Sequence, residues 1–382
     1  MGNQAAEVDQ VHLEDWNLEA PIRAVPAAVN AALSDYFGAS DREFGGIDPM
    51  ITESIEVLKN FVLNGGKRVR PMFAWAGIRA GLQGGGGSAP SNTSPQAYVK
   101  AISSLELIQA CALIHDDIID ASDTRRGFPT VHRTFESQHR ERSWHGSAEH
   151  YGISQAILTG DLAFSWADDI FNDSGVPLDA LAAARPAWRA MRTEVIAGQQ
   201  MDIEVEHRGS ESEADSLKVI RYKTASYSVA RPLHIGATLV GADHKTINLL
   251  LEFGRKIGTV FQLRDDQLGV FGDPEVTGKP SGDDLRSGKR TLLINRALSS
   301  GTRAEVAELR AGLGHPEAID NGDITIDRLR DIIVSTGAAE AIERQITALS
   351  DQAMTSVQES WLDAGIVEEL IHFSRALSHR KF

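Results

Sequence analysis

The stretch LIHDDIIDASDTRRG, residues 113–127, sets three closely spaced carboxylates shortly before two arginines. On a helix, Asp116 and Asp120 are one turn apart and lie on the same face. Like charges at that spacing repel each other unless a cation lies between them, and Mg²⁺ prefers carboxylate, water and phosphate oxygens. The stretch therefore predicts either a metal site for a polyanion or a solvated helix end with salt bridges. The apolar residues just before it make the solvated end less favoured.

The composition excludes several classes of protein. The chain has 382 residues, 42% of them hydrophobic, so a large core is available and the length allows one or two domains. The net charge of −15 argues against a nucleic-acid partner, because phosphate backbones are held by Lys and Arg. A single cysteine, Cys111, excludes a disulfide framework. We see no secretory signal and no 18-residue apolar run, so we expect a cytoplasmic protein without a transmembrane segment.

Apolar residues recur at helical spacing along most of the chain, and no segment shows a convincing strand alternation. The sequence therefore predicts an all-α protein. We expect a flexible N-terminal arm at 1–20, one domain over 21–382, a flexible Gly/Ser/Pro loop at 82–97 and a polar connector at 137–152. Beyond helical segments within 27–80 and 98–120, helices are predicted at 153–172, 178–206, 214–240, 244–272, 290–299, 303–312, 326–336, 338–358 and 363–377.

A second acidic segment, FQLRDDQLGVFGD (261–273), also lies towards the end of a long apolar helix. Its paired carboxylates, Asp265 and Asp266, would alone be typical of a helix end. Two carboxylate groups, each at the polar end of an apolar helix, suggest helices that face each other across a cavity. The cores of helical bundles commonly hold metal sites of this kind.

Basic residues form clusters near glycines. The segment GGKRVRP (65–71) has three cations in four residues, and further basic residues are Arg125, Arg126, Lys223, Lys279 and Lys289. Glycines let backbone N–H groups approach an anion, and Arg makes forked contacts with phosphate. No Walker spacing occurs. Each cluster alone is typical of surface charge, but together with two carboxylate groups they indicate a phosphate group bridged by magnesium.

These segments resemble, in sequence and in order, the trans-type (head-to-tail) isoprenyl diphosphate synthases, the polyprenyl synthetase family. DDIID (116–120) matches the first aspartate-rich motif of that family, and the resemblance covers about residues 60–295. It is strongest to the members that make geranylgeranyl diphosphate. The other matching segments are GGKRVRP, TRRG (124–127), GQQMD (198–202), KTA (223–225), FQLRDDQLGVFGD and GKPSGDDLRSGKRT (278–291).

The resemblance implies a large helical bundle around a deep central cavity, usually a homodimer. It implies a magnesium-dependent prenyltransferase that condenses isopentenyl diphosphate with dimethylallyl, geranyl or farnesyl diphosphate. Three Mg²⁺ ions per site, with Mn²⁺ as a substitute, would be bound by Asp116, Asp120 and Asp265, with support from Asp117, Asp266 and Asp284. Catalysis would rest on Asp116, Asp117, Asp120, Arg125, Lys223, Asp265 and Asp266.

The resemblance also assigns the substrate-binding residues. The allylic diphosphate would be held by Arg125, Lys223 and Lys279, with Lys289 in the same basic set. Isopentenyl diphosphate would be held by Lys67, Arg70, Arg126 and Gln109, and the reacting centre would be lined by Thr224 and Gln262. Two positions depart from the family pattern, since Gly269 replaces a third aspartate of many members and Gln109 replaces a histidine. Either Gln or His can donate a hydrogen bond to phosphate.

Product length can be argued from the first aspartate helix. Going back from Asp116, the same stripe holds Ala112, Ile108 and Leu105, over about 16 Å at the helical rise. Cys111 and Ala112 are small, whereas bulky aromatics at these two positions stop growth at C15 in the family. The sequence therefore predicts a C20 product, with C30 or longer and C15 as alternatives. A floor for the growing tail is expected at Leu105, Ile108, Phe164 or Trp166.

Two other functions remain to be weighed. A class I terpene cyclase shares the first aspartate motif, but would carry an Asn/Asp–Ser/Thr–Glu triad instead of a second aspartate pair. A regulatory subunit of a heteromeric synthase typically loses one of the two motifs. Both leading pairs are present here, which favours an active enzyme.

Overall fold

The computed structural model describes residues 12–272 and 282–378, and the protein is almost entirely helical there. The prediction of an all-α fold is confirmed. Among the described residues the strands are two short ones, β1 (Thr124–Arg125) and β2 (Phe128–Pro129), which pair antiparallel. In chain order the helices are α1 (Val25–Phe44), α2 (Pro49–Leu63), α3 (Val69–Leu82), α4 (Pro95–Ile119), α5 (Val131–Glu141), α6 (Ala148–Asn172), α7 (Leu178–His207), α8 (Glu213–Val219), a π-helix (Ile220–Ala230), α9 (Arg231–Leu239), α10 (His244–Phe271), α11 (Asp283–Ser287), α12 (Leu292–Ser300), α13 (Arg303–Gly312), α14 (Pro316–Asp320), α15 (Ile326–Ser335), α16 (Ala338–Gln358) and α17 (Ala364–Ser378).

The chain divides into two compact units. The first unit contains the chain up to Pro186 together with Pro232–Ile247, and the second contains Ala187–Arg231 and the chain from Asn248 onward. The first aspartate pair belongs to the first unit and the second pair to the second unit. A single domain over 21–382 stays a prediction.

Helix α4 is the central helix of the first unit. It packs against α1, α2, α3 and α6, and its side chains from Ala97 to Ile108 are almost all buried. A helix that is apolar on nearly all sides is expected to lie inside a domain. By length and composition α4 is the one described helix that could cross a membrane, but 72% of that window is buried within the structure. Such burial is typical of a core helix.

The core of the second unit joins helices that lie far apart in sequence. Buried apolar side chains of α10, α12, α15 and α16 pack in one cluster, which includes Leu263, Leu293, Ile332 and Ile342. Several of these helices begin at a residue that accepts a hydrogen bond from their first turn. At the start of α13, Thr302 and Glu305 form a capping box. A single N-cap of this kind contributes about 1 kcal/mol to stability.

The prediction of a polar connector at 137–152 is wrong. Helix α5 extends to Glu141, and α6 begins at Ala148 after Ser147, whose side chain accepts a hydrogen bond from His150 N. The helical signal of α5 is hidden by charge, because its solvent side carries arginines paired with Glu136 while Phe135 is buried. Composition alone therefore made a strongly amphipathic helix resemble a loop.

Two segments predicted to be flexible make defined contacts. Trp16, in the expected N-terminal arm, is buried, and its ring centroid lies 5.2 Å from that of Trp75. In the 82–97 loop, Ser88 N donates to Val240 O at 2.8 Å, and Asp243 N donates to Gly85 O at 2.8 Å. These contacts hold the described part of both segments against the first unit.

Candidate active site

The first aspartate group lies in the last turn of α4, where one carboxylate is buried and two are accessible. Asp117 is fully buried, whereas Asp116 is partly exposed and Asp120 exposed. Arg125, on β1, donates to Asp117 Oδ1 from Nε at 2.7 Å, and its Nη2 lies 2.6 Å from the same oxygen and 3.7 Å from Asp116. Within the described residues, Asp117 Oδ2 is buried without a hydrogen-bond partner. Burial raises the pKa of Asp117, and the bond from Arg125 opposes that rise.

A hairpin turn sends the two neighbouring arginines in different directions. Arg126 and Gly127 both have positive φ, as a two-residue hairpin turn of type I′ requires. Arg125 reaches back to Asp117, whereas Arg126 lies over Gly65 and Gly66. A Cβ added at Gly66 would lie 3.2 Å from Arg126 Nη2, and one at Gly65 would lie 3.3 Å from Arg126 Cδ. Because Gly65 and Gly66 have no side chains, they leave space for the side chain of Arg126.

The basic cluster of the first unit is built on a buried ion pair that the sequence analysis did not assign. Arg68 is buried and donates to Glu106 Oε2 at 2.7 Å, to Asn30 Oδ1 at 2.8 Å and to Val62 O at 2.6 Å. A lone acid in the apolar part of α4 could have indicated this pair, because a buried carboxylate needs a cationic partner.

Positive charge is concentrated around Arg126. Partial burial lowers the pKa of its guanidinium, Glu106 opposes that effect, and the neighbouring Arg68, Arg125 and Arg70 lower the pKa further. Like charges held this close are relieved by an anion. Lys67 is exposed and Arg70 is half-buried, so both belong to a cluster that reaches solvent. This arrangement suits a diphosphate group.

The accessible stripe of α4 ends about two turns before the aspartates. Ala112 and Gln109 are partly exposed, whereas Ile108 and Leu105 are 1% and 0% exposed. Cys111 lies towards α6, since its Sγ is 3.8 Å from Nδ1 of His115, whose Nε2 is 3.2 Å from Ile157 O. Burial raises the pKa of the Cys111 thiol to about 12. Of the two small residues before the motif, Ala112 is therefore the one on the aspartate stripe.

The second aspartate group lies near the end of α10 and repeats the pattern of one accessible and one buried carboxylate. Asp265 is exposed, and Asp266 is buried and accepts a hydrogen bond from Gln262 Nε2 at 2.6 Å. Burial raises the pKa of Asp266 well above its ordinary value; the bond from Gln262 opposes this, and Asp284, Asp265 and Asp202 add to the rise.

The departure at Gly269 has a structural explanation. A Cβ at this position would lie 2.1 Å from Asp284 Oδ2. The carboxylate of Asp284, on α11, therefore fills the room beside α10 that a side chain at 269 would need. Only the packing of α11 against α10 brings these two positions together.

Lys223 and Thr224 lie on the π-helix and contact two different helices. Lys223 Nζ lies 2.5 Å from Asp202 on α7, and Thr224 Oγ1 donates to Gln262 Oε1 on α10. Asp202 was not assigned by the sequence analysis, although it ends the GQQMD segment. Lys289 is half-buried, and its N–H donates to Asp284 O at 3.0 Å. The predicted residue Lys279 lies outside the described residues.

The donors fit magnesium better than a tightly caged metal. Across the described ranges, no three His, Cys, Asp or Glu side chains converge to hold an ion by themselves. Mg²⁺ is usually bound by one or two carboxylates, several waters and substrate phosphates. The accessible carboxylates Asp116, Asp120 and Asp265, each near a second acid, supply oxygen donors of that kind.

Comparisons with known proteins agree with this chemistry. Residues 52–326 match the polyprenyl synthetase family. A crystal structure of geranylgeranyl pyrophosphate synthase from Corynebacterium glutamicum, complexed with isoprenyl diphosphate and magnesium, is 42% identical with a TM-score of 0.88, over 95% of this chain and 100% of that one. Geranylfarnesyl diphosphate synthase of Aeropyrum pernix is 34% identical over 282 residues, which is 73% of this chain and 79% of that protein.

The relatives differ in the product that they are named for. A third, (2E,6E)-farnesyl diphosphate synthase of Mycobacterium bovis, is 34% identical over 241 residues, which is 63% of this chain and 59% of that protein. The matches therefore agree on the reaction class and leave the product length open. The chain belongs to the polyprenyl synthetase family and is a trans-prenyl diphosphate synthase, which is a prenyltransferase.

Proposed function

We propose that this enzyme elongates allylic diphosphates with isopentenyl diphosphate and releases mainly geranylgeranyl diphosphate (C20). The observation that carries the product length is the accessible stripe of α4, which passes Ala112 and ends at Ile108 and Leu105. The named function of the Corynebacterium glutamicum relative supports the same length.

The allylic diphosphate is assigned to the two aspartate groups and the nearby cations. In the polyprenyl synthetase family, aspartates at these positions hold Mg²⁺, and we assign that role to Asp116 and Asp120 in the first unit and to Asp265 in the second. Mg²⁺ held there would neutralise the charge that develops on the leaving diphosphate. Asp117 and Asp266 are buried, and their hydrogen bonds to Arg125 and Gln262 keep the ends of α4 and α10 in position.

The first chemical step breaks the allylic C–O bond and gives an allylic cation and diphosphate. Lys223 and Arg125 are cations fixed by carboxylate partners, so they can stabilise that developing negative charge without reorganising. No nucleophilic side chain is required.

Isopentenyl diphosphate is assigned to the cationic cluster around Arg126. Its diphosphate would relieve the repulsion between Arg126, Arg70 and their neighbours, and Gln109, partly exposed on α4, can donate to a phosphate oxygen. When isopentenyl diphosphate is held there, its double bond can attack the allylic cation. Positioning of the two substrates accounts for much of the rate acceleration. We assign the proton that is then lost to the released diphosphate.

The product length follows from the position of the floor. At 1.5 Å per residue, the accessible stripe covers about 10 Å from Asp116 to Gln109, and Leu105 lies about 16 Å from Asp116. Ala112 leaves this stripe open where a bulky aromatic would close it. Ile108 and Leu105 are fully packed, so the tail is expected to stop at their level.

A homodimer and a cytoplasmic location stay predictions. Ile157 and Leu158, on the solvent side of α6, are 43% and 61% exposed, and this apolar surface fits contact with a second copy. Chromatography with light scattering would measure the mass in solution, and a monomeric mass at micromolar concentration would contradict the homodimer.

The product spectrum tests the proposal directly. Purified protein would be incubated with Mg²⁺, labelled isopentenyl diphosphate and dimethylallyl, geranyl or farnesyl diphosphate, and the hydrolysed alcohols sized, with a chelator as the control. A dominant C20 alcohol is expected. C30 or longer would place the floor deeper, C15 would place it nearer Ala112, and no magnesium-dependent product from any primer would contradict the proposed activity.

A further inference from the structure

The helix that carries Lys223 and Thr224 has an unusual backbone. Ile220–Ala230 is a π-helix of 11 residues, whereas π-turns in proteins are mostly single-turn bulges and often lie at functional sites. α-Helices precede and follow it directly, so the wide turns are confined to this one segment. Something in the second unit must hold the segment in this conformation.

Three glycines of the flanking helices contact the backbone of the π-helix. A Cβ at Gly198, on α7, would lie 2.3 Å from Lys223 N and 2.5 Å from Lys223 Cα. On α10, a Cβ at Gly258 would lie 2.5 Å from Ala225 Cα, and one at Gly254 would lie 2.6 Å from Ala230 Cα. Contacts this short are not tolerated, so a methyl group at any of these positions would displace the π-helix backbone.

The residues that bind the side chains of the π-helix lie on the same helix faces as two of these glycines. On α7, Asp202 lies 2.5 Å from Lys223 Nζ and is four residues after Gly198. On α10, Gln262 accepts from Thr224 Oγ1 and is four residues after Gly258. Residues four apart share a helix face. Each flanking helix therefore touches the π-helix backbone with a glycine and holds one of its polar side chains about one turn further on.

We propose that Gly198 and Gly258 are positioning residues of the prenyl transfer site. They let α7 and α10 approach the π-helix closely enough to place Lys223 and Thr224 against the allylic diphosphate. This inference rests on the proposed function, because that function assigns the allylic diphosphate to Lys223. Neither glycine is assigned a contact with a substrate; both act through the backbone of the π-helix.

The expected effect follows from the distances. With a methyl group at Gly198, the backbone of Lys223 must move by about 1 Å to restore ordinary contact, and a displacement of that size can cost about a hundredfold in rate. The effect should be specific for one substrate, since Lys223 is assigned to the allylic diphosphate and the isopentenyl site belongs to the first unit.

Gly198→Ala and Gly258→Ala test the proposal, with Gly77→Ala as the matched control. A Cβ at Gly77 would lie 2.2 Å from Leu233 O, so the control carries an equal steric burden in the first unit. The KM for each substrate and kcat would be measured with saturating Mg²⁺. Binding of a non-ionising allylic thiodiphosphate would be measured by calorimetry, and thermal unfolding by circular dichroism.

Both π-helix variants are expected to raise the KM for the allylic diphosphate, and the Kd of the thiodiphosphate, about tenfold or more. The KM for isopentenyl diphosphate should change less than about twofold. Gly77→Ala should lower Tm without changing either KM. Equal changes in both KM values, or allylic KM values like those of Gly77→Ala, would overturn the proposal.

The experiment distinguishes a wrong assignment of the function from a wrong assignment of the two glycines. Inactive wild-type protein would contradict the proposed function, whereas active wild-type protein with unaffected variants would contradict only the positioning role. If Gly198→Ala does not fold, Gly258→Ala decides, because it acts on the same segment from the other helix.

Discussion

The two aspartate pairs, Asp116–Asp117 in the first unit and Asp265–Asp266 in the second, share one arrangement but have different partners. In each pair the first carboxylate reaches solvent and the second is buried. Successive residues of a helix point about 100° apart, so neighbouring acids naturally divide into one outward and one inward side chain. The inward acid meets a charged arginine in the first unit and a neutral glutamine in the second.

The buried carboxylates of the two units are stabilised by different donors. Arg125 compensates the buried charge of Asp117 within the first unit. Asp266 accepts a hydrogen bond from the neutral amide of Gln262; burial raises its pKa, and the nearby Asp284, Asp265 and Asp202 raise it further. The buried acid of the second pair therefore has a neutral donor where Asp117 has a charged one, and the second pair should depend more on added cations.

The largest expected effect is a loss of kcat when the outward acid of the second pair is replaced, compared with replacement of an ordinary surface acid. Asp265→Asn is expected to lower kcat about a thousandfold, because it removes a carboxylate assigned to the metal. Asp351→Asn, at an exposed position of α16, is the control and should leave kcat unchanged. Steady-state kinetics over a range of Mg²⁺ concentrations would measure both. Similar kcat values for the two variants would contradict the assignment.

The next largest effect is expected on the free energy of unfolding, when the hydrogen-bond partner of each inward acid is replaced. Arg125→Met leaves Asp117 buried without its cation and is expected to lower the free energy of unfolding by about 3–5 kcal/mol. Gln262→Met removes a neutral donor and should cost about 1–3 kcal/mol. Urea unfolding without ligands measures both. Arg140→Met, which removes an exposed arginine from Glu136 and leaves the pair between Arg133 and Glu136 in place, should cost no more than about 1 kcal/mol. A larger loss for Gln262→Met than for Arg125→Met would reverse the comparison.

A smaller effect is expected from adding charge to the second pair. Gly269→Asp would place a further carboxylate in the room held by Asp284 and should lower kcat/KM about tenfold through displacement and repulsion. Gly269→Asn separates size from charge. The double variant Gly269→Asp with Asp284→Gly restores the number of carboxylates and should recover most of the activity. No recovery would show that the position of Asp284, and not only its charge, is required.

A substitution at Ala112, one turn before the first aspartate pair, is expected to change the rate least and to change the chain length of the product clearly. Four residues before the outward acid, α4 has Ala112 where α10 has Phe261. Ala112→Phe should shorten the product to C15 or less and leave the first condensation with dimethylallyl diphosphate nearly unchanged. Ala112→Ser is the small control, and sizing of the hydrolysed alcohols is the measurement. An unchanged product length would refute the assignment of the stripe.

Much of the fold could be predicted from the sequence. The bounds predicted for α13 (303–312) and α16 (338–358) are those of the structure, because apolar periodicity is strong there and Thr302 and Gly337 mark the helix starts. Helix α5 was missed, since its short length and many charges conceal its buried face. Local pattern is a good guide to an element only where one face is clearly apolar.

The sequence by itself determined the residue types of the site, their order along the chain and the reaction class. The reaction class came from the resemblance of these ordered motifs to the polyprenyl synthetase family. The tertiary structure decided which acid of each pair is buried, that Asp284 fills the room at Gly269, and that Gly198 lies against Lys223. These outcomes depend on backbone distances between segments far apart in sequence, and such distances are set only when the helices pack.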